Sequence, residues 1–164
     1  FFFHLLRWKR EGNQPKTQST MASLDLRNKK IRSLHDYMSS VVPHSAPLRY
    51  LNASDNLLLK VEGLEDHPHL QELLLRNNRI VFLSSGMRGG LNMLVNLQVL
   101  VLRDNSICAI SNLDNLRNLK FLDLANNHIT EISNLYFNTQ LEHLDLSDNN
   151  INCLADLSNN SHLQ

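Results

Sequence analysis

The apolar positions of this chain follow neither the period of a helix nor that of a strand. From Leu100 they fall at Leu100, Leu102, Ile107, Ile110, Leu113, Leu116 and Leu119, with Asn105 set among them. The spacing restarts 22 residues on, at Leu122, Leu124, Asn127, Ile129, Ile132 and Leu135, and again at Leu144, Leu146, Asn149, Ile151, Leu154 and Leu157. Backwards it runs through Leu73, Leu75, Asn78, Ile80 and Leu83, then Leu51, Ala53, Asn56, Leu58 and Val61. The first copy is Leu24, Leu26, Ile31 and Leu34, with Lys29 in the asparagine's place. A fixed period of about 20 to 50 residues marks a coiled repeat architecture.

The local physics of one unit predicts its shape. Leu100 and Leu102 are two apart, so on an extended strand they share the inward face. The chain then turns, and Ile107, Ile110 and Leu113 feed the same interior from the far side. One unit buries about seven aliphatic side chains at roughly 1.5–3 kcal/mol each. Ordering its backbone costs about 1–2 kcal/mol per residue. A lone repeat loses that contest, so stability belongs to the stack. Parallel strands are expected near 24–26, 51–53, 73–75, 100–102, 122–124 and 144–146. Asn56, Asn78, Asn105, Asn127 and Asn149 follow the strands where the backbone turns sharply. An amide both donates and accepts, so a column of them can satisfy main-chain groups between coils. Lys29 fits an end repeat whose turn faces water.

Two steps, Leu24 to Leu51 and Leu73 to Leu100, are 27 residues instead of 22. The extra residues fall after the asparagine position, on the outer side, where insertions do not disturb stacking. About two turns of helix are expected over Leu34 to Val41, ended by Pro43. Gly86, Gly89 and Gly90 mark a turn before a short helix near Leu91 to Asn96. The shorter units predict 3₁₀ turns. Residues 1–21 read as an apolar segment, FFFHLLRW, and a polar linker; the repeat domain is expected over 22–164, six repeats plus the start of a seventh. The chain begins at Phe1 and stops where a seventh strand is due, which predicts a piece of a longer protein truncated at its C-terminus.

The spacing L-x-L-x-x-N-x-I-x-x-I resembles the leucine-rich repeat. Its 22-residue length resembles the short-repeat subfamily typified by a protein phosphatase 1 regulatory subunit. That resemblance implies an α/β fold: a right-handed solenoid, or horseshoe, with a parallel sheet on the concave face and 3₁₀ turns or short helices on the convex face. It also implies a non-enzymatic scaffold that binds a protein partner. Similar short-repeat proteins include a dynein light chain and larger ciliary or IQ-motif proteins, so a cytoplasmic, cytoskeletal or ciliary setting is the expectation. The alternatives are a surface adhesin of the internalin kind, or a docking arm of a larger enzyme.

Composition adds little to this and removes several classes. Lys+Arg and Asp+Glu both number 16, so no global field draws the chain to nucleic acid or to a membrane. No apolar run approaches membrane-spanning length. Cys108 and Cys153 lie outside the aliphatic positions and read as two thiols in a reducing compartment. His67 and His69, with Glu65 and Asp66, read as a polar convex loop next to Pro68 and not as a metal site. The glycines do not form a phosphate-binding loop, and Cys108 with His128 offers no nucleophile geometry. No catalytic residue, metal or cofactor is predicted, and a monomer is expected.

Binding is expected on the outward strand positions. Tyr50, Leu74, Val99, Val101 and Phe121 form an apolar run across adjacent repeats. Arg76 and Arg103 flank it, and Asp123, Asp145 and Asp148 make the far end acidic. An apolar patch edged by arginine has the composition of an interface. In this reading the two arginines meet carboxylates of the partner.

Overall fold

The computed structural model describes residues 23–42, 47–83, 90–154 and 157–164, with the side chain of residue 154 excepted. The N-terminal apolar segment and linker, Pro43, Gly86 and Gly89 lie outside the described residues. Six strands form one parallel sheet: β1 (Ser23–Asp25), β2 (Tyr50–Asn52), β3 (Glu72–Leu74), β4 (Val99–Val101), β5 (Phe121–Asp123) and β7 (His143–Asp145). They stack in chain order, each the start of one coil. The register pairs Leu24, Leu51, Leu73, Leu100, Leu122 and Leu144, as the repeat demands. Each strand begins one residue earlier than the leucine pairs predict. The second leucine still joins the ladder through its N–H, as Leu102 does to the carbonyl of Asp123 at 2.7 Å.

A smaller sheet closes the opposite side, with β6 (Glu131–Ile132) paired in parallel to β8 (Cys153–Leu154) and a lone bridge from Lys60 to Phe82. Between the two lies the core, where nearly every repeat leucine and isoleucine is fully buried as far as Leu141. In the last coil Leu144, Leu146 and Ile151 are only partly covered. The first long insertion folds as α1 (Leu34–Val41). Ser33 caps it by accepting the N–H of Asp36 at 3.2 Å, and Leu34 and Met38, one turn apart, face the core. Gly63 passes so close to this helix that a Cβ there would collide with the backbone of His35, and its φ of 75° also favours glycine.

The expected short helix is a single 3₁₀ turn, Leu91–Met93. Elsewhere the convex side consists of two successive i+3→i turns per coil. In the fourth coil, Leu116 N–H bonds the carbonyl of Leu113, and Leu119 N–H that of Leu116. Two columns of left-handed residues shape the coils. One, just before the asparagine position, reads Asn28, Asp55, Asn77, Asp104, Asn126 and Asp148, with φ between 53° and 59°. Asparagine and aspartate tolerate this conformation best among residues with a Cβ. They alternate strictly, so an amide faces a carboxylate: Asn77 donates to Asp55 at 2.9 Å and Asn126 to Asp104 at 2.8 Å. The other column, Gly63, Gly90, Asn112 and Asn134, starts the convex turns.

Candidate functional site

The asparagine column behaves as a structural device. Asn105 illustrates it: Oδ1 accepts the N–H of Ile80 at 3.0 Å, while Nδ2 reaches the carbonyls of Leu75 (3.0 Å), Leu102 (2.8 Å) and Arg103 (3.3 Å). Asn56, Asn78, Asn127 and Asn149 repeat the pattern one coil up or down. In the first coil Lys29 is exposed, and its N–H and that of Ile31 are served by Asn56 of the next coil.

A second polar column runs through the convex turns, and the sequence reading missed it. At the position of Leu94 and Leu116 stand His67, Asn138 and Asn160, all buried. Asn138 donates to the carbonyls of Leu113 and Leu116, and Asn160 to those of Leu135 and Asn138. The only signal available was register: each of these residues lies 11 after its coil's turn asparagine. His67 is therefore not part of a solvated loop; it occupies a core position at 4% exposure. No group of three or more metal-binding side chains occurs among the described residues.

On the concave face the register aligns two outward rows. Glu72, Val99, Phe121 and His143 form one, and Leu74, Val101, Asp123 and Asp145 the other. The apolar run is present but lower than its sequence implies. Val99 is only 3% exposed and presents almost nothing to solvent, since neighbouring strands at about 4.8 Å spacing bring larger side chains over it. Tyr50, Leu74, Val101 and Phe121 are half-buried. Phe121 stacks on His143 with ring centroids 4.6 Å apart and planes 11° from parallel. The Tyr50 phenol is pushed up to about 12 by burial. The most exposed large apolar side chains among the described residues, such as Phe82, Tyr136 and Leu59, lie outside this sheet.

The arginines are already engaged. Arg76 Nε donates to Asp104 Oδ2 at 2.8 Å, and Arg103 lies 3.7 Å from Asp145 and 3.9 Å from Asp104. Arg27 likewise grips Asp25, at 2.8 Å. The carboxylates respond. Hydrogen bonds from Asn126 and Arg76 hold Asp104 below the usual carboxylate range, and those from the Ser147 hydroxyl and N–H do the same for Asp145. For Asp25, burial pushes upward, but the hydrogen bonds from Arg27 outweigh it. Asp123 goes the other way. Burial raises it, the neighbouring Asp145 carboxylate adds to the rise, and the N–H of Ala125 only partly opposes it.

With this geometry in place, comparison with known proteins is direct. Family profiles described as leucine-rich repeat match residues 68–129 and, in two copies, 117–162. The chain belongs to the leucine-rich repeat family. Among solved structures it is similar to an internalin (inlF) from Listeria monocytogenes, at 25% identity and a TM-score of 0.66, covering 87% of this chain and 46% of that one. An internalin C2 from the same organism gives 26% identity and a TM-score of 0.64, covering 86% and 57% respectively. The leucine-rich-repeat ectodomain of the receptor kinase SOBIR1 from Arabidopsis thaliana gives 30% identity and 0.52, covering 66% and 61%. The chain thus spans less than two thirds of each of these. No curated protein matches its sequence. Leucine-rich repeat domains are in general protein-interaction modules.

Proposed function

We propose that the chain is a protein-binding scaffold that receives its partner on the concave face, centred on β3, β4, β5 and β7. The observation that carries this reading is the pair of aligned outward rows. They bring Leu74, Val101 and Phe121 into one shallow apolar strip bordered by fixed charges. Such a strip combines an area to desolvate with polar groups that orient a ligand. The reading is of a monomeric, non-enzymatic module with no nucleic-acid or membrane partner. Two exposed free thiols, Cys108 and Cys153, support a reducing, cytoplasmic setting. Cytoskeletal or ciliary use rests on the short-repeat resemblance alone.

An internalin-like adhesin is the second reading, favoured by the structural likeness to the two Listeria proteins. Both readings place the partner on a protein surface, and they separate on the test compartment. A pull-down from cytosolic extract with wild type and a Val101→Glu, Phe121→Glu double variant, each checked for native circular dichroism, tests the first. A partner retained by wild type and lost by the double variant supports the concave site. Equal retention by both moves the site to the convex side.

A further inference from the structure

The charge on the concave face has a sign, and that sign selects the partner. The whole chain is neutral, so any excess on one face is local. Three guanidinium groups stand on this face, Arg27, Arg76 and Arg103, and each is tied to a carboxylate of its own chain. Each therefore has a carboxylate of its own chain beside it, which partly offsets its charge toward an acid from outside. Asp123 and Asp148, in contrast, form no ion pair among the described residues. Asp123 is the better placed of the two. It sits half-buried beside Val101 in its row, with Phe121 two residues back along the same strand. Its oxygen Oδ1 accepts the N–H of Ala125 at 3.0 Å. Asp145, its register partner, adds a second carboxylate.

A carboxylate in that position has lost part of its hydration and faces a like charge. An incoming cation relieves both. The adjacent Phe121–His143 stack offers a flat aromatic surface, on which a guanidinium or an aliphatic stem can lie. An acidic segment would meet the opposite: an Asp123 without an ion pair, and arginines that already have carboxylates beside them. Taking the concave face as the binding site, as proposed above, we infer that its partner is a protein segment with basic side chains interleaved with apolar ones. An arginine or lysine of that segment is seated at Asp123, beside an apolar residue on Val101 and Phe121. Charge complementarity of this kind sets orientation and association rate as well as affinity.

A peptide-display selection on the folded chain tests the inference. The probes are the enriched peptides themselves, resynthesised with a fluorescent label. The expected ligands carry arginine or lysine, weaken as salt rises, and bind Asp123→Asn about tenfold or more less tightly. Replacing their arginine by citrulline, which keeps the shape and removes the charge, has the same effect on wild type. An Asp55→Asn control, far along the sheet, changes affinity by less than about twofold. Acidic ligands lost in the Val101→Glu, Phe121→Glu double variant and indifferent to Asp123→Asn overturn the basic-partner inference and leave the concave site standing. Ligands that bind that double variant as well as wild type, or no enrichment at all, overturn the concave site itself.

Discussion

Asn105, at the turn leaving the concave strand, and Asn138, in the middle of the convex turns, are both buried and both donate Nδ2 to main-chain carbonyls of the preceding coil. The carbonyls they serve differ. Leu113 and Leu116 already accept an N–H from the i+3 turns, so Asn138 adds a second bond to satisfied groups. Leu75 and Leu102 receive their bonds from asparagine amides: Asn78 and Asn105 for the first, Asn105 and Asn127 for the second. Asn105 also uses its Oδ1, whereas Asn138 Oδ1 meets no donor among the described residues. The position of Asn138 accordingly accepts leucine at Leu94 and Leu116 and histidine at His67, while the turn position holds asparagine in all coils but the first. A polar residue repeats without slippage when buried groups have only its column to bond.

The sharpest way to break this contrast is Asn105→Ala. It strips the Ile80 N–H of its acceptor and leaves the Leu75 and Leu102 carbonyls with one amide each. For the one buried group left unsatisfied, a loss of about 1–3 kcal/mol is expected, read as a lower urea midpoint. A loss under about 1 kcal/mol would show that water replaces the amide at no cost.

His67→Ala comes next. As a convex loop residue its removal would be silent; as a core residue it leaves a cavity, with an expected cost of about 2 kcal/mol in the same titration. Asn138→Leu is the converse substitution, since leucine fills the same position in the two preceding coils. The carbonyls of Leu113 and Leu116 keep their turn N–H groups, so stability should stay within about 1 kcal/mol of wild type. A loss as large as that of Asn105→Ala would make the two columns equivalent after all.

This difference also explains what was legible in the sequence. Leu100 and Leu102 announce a strand because their spacing recurs in phase, and Asn105 announces a structural turn because asparagine recurs there in every coil but the first. His67, Asn138 and Asn160 carried no such signal: an apolar position that takes leucine, histidine or asparagine looks like noise until the coil count is fixed. The concave rows were readable as positions but not as energetics. That Val99 is covered and that Arg76 and Arg103 are tied to Asp104 and Asp145 depends on side-chain reach across strands. The alternation of Asn77 and Asp104 with their neighbours was on the page as letters, yet its role as a left-handed, hydrogen-bonded column required backbone angles.

The larger effect on the binding face belongs to the apolar strip. The Val101→Glu, Phe121→Glu double variant should abolish partner capture while leaving the core leucines, and hence the circular dichroism, unchanged. If the protein unfolds instead, the strip belongs to the stability of the sheet, and the concave rows join Asn105 as structure.

The smallest expected effect carries the same contrast, satisfied against unsatisfied, to the carboxylates. Asp145 is hydrogen-bonded by Ser147 and lies lowered; Asp123 is raised by burial. A lowered folded value contributes stability that is present above the unfolded value, near 3.8, and is lost as pH falls through the folded one. A raised folded value has the opposite sign: between the unfolded and folded values the native state binds more protons, so stability declines as pH rises across that window. Asp123→Asn keeps an acceptor for the Ala125 N–H and removes the decline. At pH 7 it should therefore raise the melting temperature slightly, by about 0.5 kcal/mol or less in free energy, given its partial exposure. The difference should vanish below the unfolded value. Asp145→Asn should lower the melting temperature at pH 7 and converge with wild type in acid. Melting curves of both variants across pH 3 to about 7 decide it: if both move in the same direction, the concave carboxylates are electrostatically alike. A basic ligand would then have no reason to prefer Asp123. Opposite directions make Asp123 the one carboxylate in its row whose charge the folded chain leaves for a partner to compensate.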